Sequence, residues 1–139
     1  MALKSRFFKL LYDQDRDAML ADPQYQAWFH KHQHWLLPYA AFSYLRDAFG
    51  TVDFSWWPKF GTWDSAKHHF EKIISEGPSN KDYDDVVVHL FIQWHAHKQM
   101  SVAANYAREH GVVLKGDLPI GVYRNSVDVW VEPSIYNIT

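Results

Sequence analysis

Asp117 is the acidic side chain that its neighbours place best for chemistry. Val112, Val113 and Leu114 form a short continuous apolar run, Gly111 precedes it, and a long helical pattern ends at His110. Helix, glycine stop and apolar run together make the αβ half of a parallel α/β unit, so the pattern predicts a buried strand near 112–116. In α/β barrels and open α/β sheets the chemistry sits at the C-terminal ends of strands. Gly116 and Asp117 fall at that end, which would hold a carboxylate at the mouth of a candidate site, with Pro119 fixing the backbone beyond it. By itself, an aspartate between strand and turn is equally a turn former or a cap.

Nine histidines raise the question of a metal. His30, His32 and His34 alternate, as do His95 and His97, and their neighbours read as helix. Helical residues two apart point about 200° from one another, so neither group converges on one ion. His68 and His69 are adjacent and diverge. His89 and His97 share a helical face with Gln93 between them, without a His-x-x-x-His pair. They read as structural or surface groups, and neither a metal nor an organic cofactor is expected. The Asp84–Asp85 pair reads as a solvated helix start.

The chain has 139 residues, 47% hydrophobic and 22% charged, which describes a packing sequence of about one domain. Fourteen basic and sixteen acidic residues give a net charge of −2, without the basic field that a nucleic-acid partner wants. There is no cysteine, which removes thiolate chemistry and fits a cytoplasmic protein. Met1 to Leu11 has no uninterrupted apolar core of the secretory kind, and no run approaches the ~18 apolar residues of a membrane span. The unusual figure is 17% aromatic residues, including seven tryptophans. Most read as core, each burying roughly 150–250 Å². Sugar clefts also use such rings, because pyranose C–H faces stack on them.

The elements that must position Asp117 read as helical first and α/β afterwards. Ser5–Leu11 forms a short helix that Asp13–Met19 continues or restarts. Pro23 suits a first helical turn, followed by Tyr25, Trp28 and Phe29 at helical spacing. Trp35 to Arg46 makes the next helix, with Gly50 as its stop. Thr51–Thr62 reads as a loop, Asp64 or Ser65 as the cap of a helix through Ile74, and Gly77-Pro78-Ser79-Asn80 as a break. Lys81 to Asp85 starts the longest helix, its acidic turn complementing the helix dipole. Val88, Ile92, Ala96, Met100, Ala103 and Ala107 form one apolar stripe on it, and Val87, Leu90, Phe91 and Trp94 add a second, so the helix is expected to be buried on two sides.

Gly116, Asp117, Leu118, Pro119 and Ile120, followed by Asn125, Ser126, Asp128 and Trp130, resemble the 4-alpha-glucanotransferases, also called amylomaltases or disproportionating enzymes. The run Lys-Gly-Asp-Leu-Pro-Ile-Gly-Val and then Arg-Asn-Ser-Val-Asp is most similar to the long disproportionating-enzyme branch. The resemblance extends back through Gln93, His95, His97, Tyr106 and Arg108 to Leu37-Pro38-Tyr39-Ala40, Trp57 and Phe60. It implies an α/β fold of the α-amylase superfamily, here a partial (β/α)8 barrel that is mostly helical with one strand near 112–116. Residues 1–80 would be an inserted subdomain or outer layer, and 81–139 the long helix, barrel strand and cleft-lining loop.

The resemblance also implies retaining transfer of α-1,4-glucan segments by double displacement, using carboxylates and no cofactor. Asp117, Asn125, Ser126, Asp128 and Trp130 are the substrate-binding candidates, Trp130 as a ring that stacks on glucose or, alternatively, as a plug at the barrel rim. Retaining chemistry needs two carboxyl groups about 5–5.5 Å apart, and in the resembled family these lie downstream of the tryptophan loop. The chain is thus expected to be an internal piece, inactive alone, with no catalytic residue of its own and a tendency to self-associate. The competing reading is a stand-alone helical module that binds carbohydrate or protein.

Overall fold

The computed structural model describes residues 2–117 and 121–137. Five α-helices run in chain order: α1 (Ala2–Ala21), α2 (Pro23–Phe49), α3 (Trp63–Glu76), α4 (Tyr83–Glu109) and α5 (Val127–Val131). None of them is long and apolar enough to cross a membrane. Helix α2 is the centre of the fold: α1, α3, α4 and α5 all pack on it, and α1 also lies on α4.

The helix ends follow local chemistry. The Asp22 carboxylate accepts the Gln24 amide at 2.8 Å, and Pro23 then opens α2 where a missing N–H costs nothing. Gly50 closes α2 at φ 70°, a left-handed conformation that suits glycine. Thr62, not Asp64 or Ser65, is the N-cap of α3, and its side chain forms a reciprocal capping box with Ser65.

Helix α1 is continuous from 5–11 into 13–19, and α2 joins the turn begun at Pro23 to the helix expected from Trp35 to Arg46. In α1, Tyr12 and Met19 are buried on one face across both halves, so one continuous helix serves the core better than two. In α2, Pro38 sits inside the helix and cannot donate to the carbonyl of His34, a defect costing about 3 kcal/mol. Burial of Trp28 and Leu36 before it, and of Ala40, Ala41, Phe42 and Leu45 after it, outweighs that defect.

Two clamps hold α4. Tyr12, fully buried, donates its hydroxyl to Asp84 at 2.7 Å, and Arg16 reaches the same carboxylate at 2.9 Å. Lys9 pairs with Asp85 at 3.3 Å. The acidic start of α4 is therefore a fastening for α1 rather than a solvated terminus. The side chain that sinks into the core is Tyr83, followed by Val86, Val87, Leu90, Phe91 and Trp94.

The second half of α4 corrects the expectation of burial on two sides. Ala96 and Ala103 are exposed, as is Met100 at 64%. The strand near 112–116 is also corrected. Residues 112–117 have no regular secondary structure, all are exposed, and Val113 is 90% accessible. A parallel strand exists only through its neighbours, and none of the described residues forms a strand beside it. Among those residues the fold is helical, and no part of a barrel sheet is present.

Candidate functional site

Ser126 sets the geometry of the C-terminal segment. It is the N-cap of α5, its Oγ accepting the Val129 amide at 3.4 Å. The five-residue helix then sends alternate residues in opposite directions. Asp128 is exposed, whereas Val129 and Trp130 are buried.

Trp130 is the anchor of this segment. It is 1% exposed, and its ring packs against Phe42 at 5.7 Å, Trp57 at 5.9 Å and Trp63 at 5.5 Å. Its indole N–H donates to the Phe60 carbonyl at 2.9 Å, across 70 positions of sequence. Phe60 adopts φ 64°, and it is the one non-glycine residue at positive φ among the described residues. A phenylalanine there is strained by about 1–2 kcal/mol. The loop tolerates this conformation while it presents the carbonyl to Trp130 and stacks the Phe60 ring on His69 at 5.0 Å. Trp57 ties down the same loop by donating to the Thr51 carbonyl at 3.0 Å.

The outer side of α5 faces α2 across a cavity of about 200 Å³. Its walls include Trp35, Pro38 and Tyr39 from α2, Asp128 and Glu132 from the α5 segment, and Tyr136. Trp35 is 41% exposed. The lining thus combines three aromatic residues with two carboxylates four residues apart and the imidazole of His34; rings can receive apolar C–H faces, and carboxylate oxygens can accept from hydroxyls.

The sequence-predicted residues fall into three groups. Asp128 lines this cavity. Ser126 and Trp130 lie on the same segment but fix its backbone and its inner face. This corrects the expectation that Trp130 offers a ring to sugar, because its ring is covered by Phe42, Trp57 and Trp63. Asn125 is half-buried in the turn before the cap, and Asp117 is exposed in the irregular stretch that replaces the expected strand. Leu118, Pro119 and Ile120 lie outside the described residues.

Sequence reasoning missed Trp35, Glu132 and Tyr136 as a group. The Asp128 to Glu132 spacing was a usable signal, but the opposing wall comes from α2, about 90 residues earlier, and no local pattern announces it.

A second concentration of rings lies between α2 and α4. His97 sits 5.5 Å from Trp28 and 6.5 Å from His32, and it stacks on Trp94. Desolvation, and then Lys31 and His97, hold His32 below the usual imidazole range. Among the described residues no three histidine, aspartate or glutamate side chains gather as a metal site would require.

Three comparisons bear on these observations. The whole chain, residues 1–139, matches the 4-alpha-glucanotransferase family. It is 41% identical over 138 residues to "4-alpha-glucanotransferase DPE2" of Oryza sativa subsp. japonica, a match covering 99% of this chain and 14% of the rice protein. It is 30% identical over 108 residues to a 4-alpha-glucanotransferase of Aquifex aeolicus, covering 78% of this chain and 21% of that protein. A 4-alpha-glucanotransferase of Thermus thermophilus is 29% identical over 125 residues, covering 90% and 23% respectively. The chain therefore spans between about a seventh and a quarter of the length of these relatives. No solved structure matches at a significant level.

Proposed function

This chain belongs to the 4-alpha-glucanotransferase family, and from that membership we propose that it works as one segment of an enzyme that transfers α-1,4-glucan units between oligosaccharides. The observation that carries the reading is the family match over all 139 residues, together with relatives of that name at up to 41% identity.

In this reading the reaction is a retaining double displacement. A carboxylate attacks the anomeric carbon to form a glycosyl-enzyme, and a second carboxyl group protonates the leaving oxygen and then deprotonates the acceptor hydroxyl. Both carboxyl groups would lie outside these residues, in a (β/α)8 barrel of the whole enzyme. Residues 1–80 would form a subdomain or outer layer, and 81–139 would contribute to the barrel and its cleft.

The division of labour proposed for this segment follows from exposure. Asp117 and Asp128, both exposed, and the half-buried Asn125 would accept hydrogen bonds from sugar hydroxyls. Ser126 and Trp130 hold the backbone that carries Asp128. Carboxylate chemistry needs neither a metal nor an organic cofactor. A cytoplasmic setting is part of the same proposal.

A graft tests this. The 138 matched residues of the rice relative are replaced by those of this chain, and transfer from maltooligosaccharides is assayed. Retained transferase activity supports the reading, whereas a folded but inactive graft overturns it. The isolated 139-residue chain is expected to release no glucose from maltotriose.

A further inference from the structure

We propose that the cavity between α2 and α5 is a docking site for a single glucosyl ring, with Trp35 as its stacking platform and Asp128 and Glu132 as its hydroxyl acceptors. The identity of the sugar rests on the glucan reading above; the site itself rests on the cavity.

Its size decides how much sugar enters. Pockets for drug-sized ligands run from roughly 300 to 1,000 Å³, and this one holds about 200 Å³. One pyranose fits, and the rest of a glucan must trail into solvent. The lining chemistry decides what kind of molecule enters. Trp35, Tyr39 and Tyr136 supply aromatic side chains, and Trp35 is 41% exposed. Asp128 and Glu132, four residues apart, line the cavity from the α5 segment, and carboxylate oxygens accept hydrogen bonds from hydroxyls. The two carboxylates outnumber the one imidazole of the lining, His34, so an anion is disfavoured, and a purely apolar ligand would strip their water without replacing it.

The backbone that carries the two carboxylates is also held before any ligand arrives. Trp130 locks α5 from behind through the Phe60 carbonyl, and the Glu132 amide donates to the Asp128 carbonyl at 2.9 Å. A preformed wall loses little freedom on binding, which is how a small ligand can be held at all.

The test is an NMR titration of the 139-residue chain with methyl α-D-glucoside, following the tryptophan indole N–H signals. The expected result is saturable movement of the Trp35 signal with a Kd near millimolar, while the hydrogen-bonded Trp130 signal stays in place. Maltotriose should bind within a few-fold of the monosaccharide, and glycerol at equal concentration should move nothing. Trp35→Ala, and independently Glu132→Gln, should weaken binding at least about tenfold. Trp56→Ala, at an 80% exposed tryptophan outside the cavity lining, should leave binding unchanged. Absence of saturation, an equal response to glycerol, maltotriose binding more than about tenfold tighter, or binding indifferent to Glu132→Gln would each overturn the proposal. An active graft without glucoside binding would remove this site and leave the family activity standing. Glucoside binding with an inactive graft would do the reverse.

Discussion

Replacing Phe60 by glycine and by alanine separates the two things that residue does. Both changes delete the ring and its contacts with His69 at 5.0 Å and Phe70 at 6.2 Å. Both keep the backbone carbonyl that accepts from Trp130. They differ in the Cβ at φ 64°. Alanine retains the left-handed strain of about 1–2 kcal/mol, which glycine does not have. Glycine in turn gives up about 0.4–1 kcal/mol through a freer unfolded chain. The balance favours Phe60→Gly over Phe60→Ala by roughly 0.5–1 kcal/mol. In ordinary helical or extended backbone the order is the opposite, by a similar amount. For a chain of this length that balance is about 2–4 °C in Tm, readable by circular dichroism at 222 nm or by calorimetry. Trp130→Phe loses a hydrogen bond and part of a buried ring, and it should cost about 2–3 kcal/mol in either background. An alanine variant as stable as the glycine variant, or more stable, would refute a strained Phe60 holding the carbonyl toward Trp130.

Other perturbations read other parts of the fold. Tyr12→Phe removes the buried hydroxyl from Asp84 while Arg16 still satisfies that carboxylate, so the cost should be near 1.5 kcal/mol in urea unfolding, and no loss would mean that the clamp does not hold α1 to α4. Burial holds the His89 imidazole below its usual range, with Asp47 at 3.6 Å opposing the shift only in part. The folded state therefore favours the neutral ring: its contribution to stability is complete above the unfolded value of about 6.5 and is lost as pH falls through the lower folded value. Urea midpoints should drop between pH 7.5 and 5.5, and His89→Gln should flatten that drop; an unchanged slope in the variant would contradict the assignment. Val113 is 90% exposed beside Val112 and Leu114, so the isolated chain should bind the dye ANS and self-associate, and Val113→Asp should reduce both. A monodisperse monomer by light scattering that binds no dye would count against this.

Much of the helical layout was legible, because it is written in local chemistry. Asp22-Pro23, Gly50 and Gly77 mark their helix ends through capping and φ preference alone. The continuity of α2 across residues 30–34 was not legible, because the burial that rewards it involves other helices. Asp84 looked like a solvated helix start because Tyr12 and Arg16, its partners, lie about 70 positions away. Val112 to Leu114 shows the limit from the other direction. Its apolar run is a strand signal, but a strand is a property of a sheet, and no described residue supplies its neighbours.

The site divides in the same way. The Asn125 to Trp130 motif lies on the segment that carries both Asp128, which lines the cavity, and the Trp130 anchor. Which of its side chains face outward depended on a five-residue helix and on a tryptophan covered by three rings. Neither can be read from residue types alone. Aromatic richness was equally ambiguous, because it counts rings without saying which are covered: Trp130 is 1% exposed and Trp35 41%.

The most direct measurement is transferase activity of the rice graft carrying Asp117→Asn, compared with the unmodified graft. Asp117 is exposed, so the substitution should leave the melting temperature within a degree or so while removing a charged acceptor from the glucan. The predicted result is a fall in kcat/KM of about 10- to 100-fold, equivalent to a charged hydrogen bond of roughly 1.5–3 kcal/mol. Undiminished transfer at full stability would show that this carboxylate does not face the sugar.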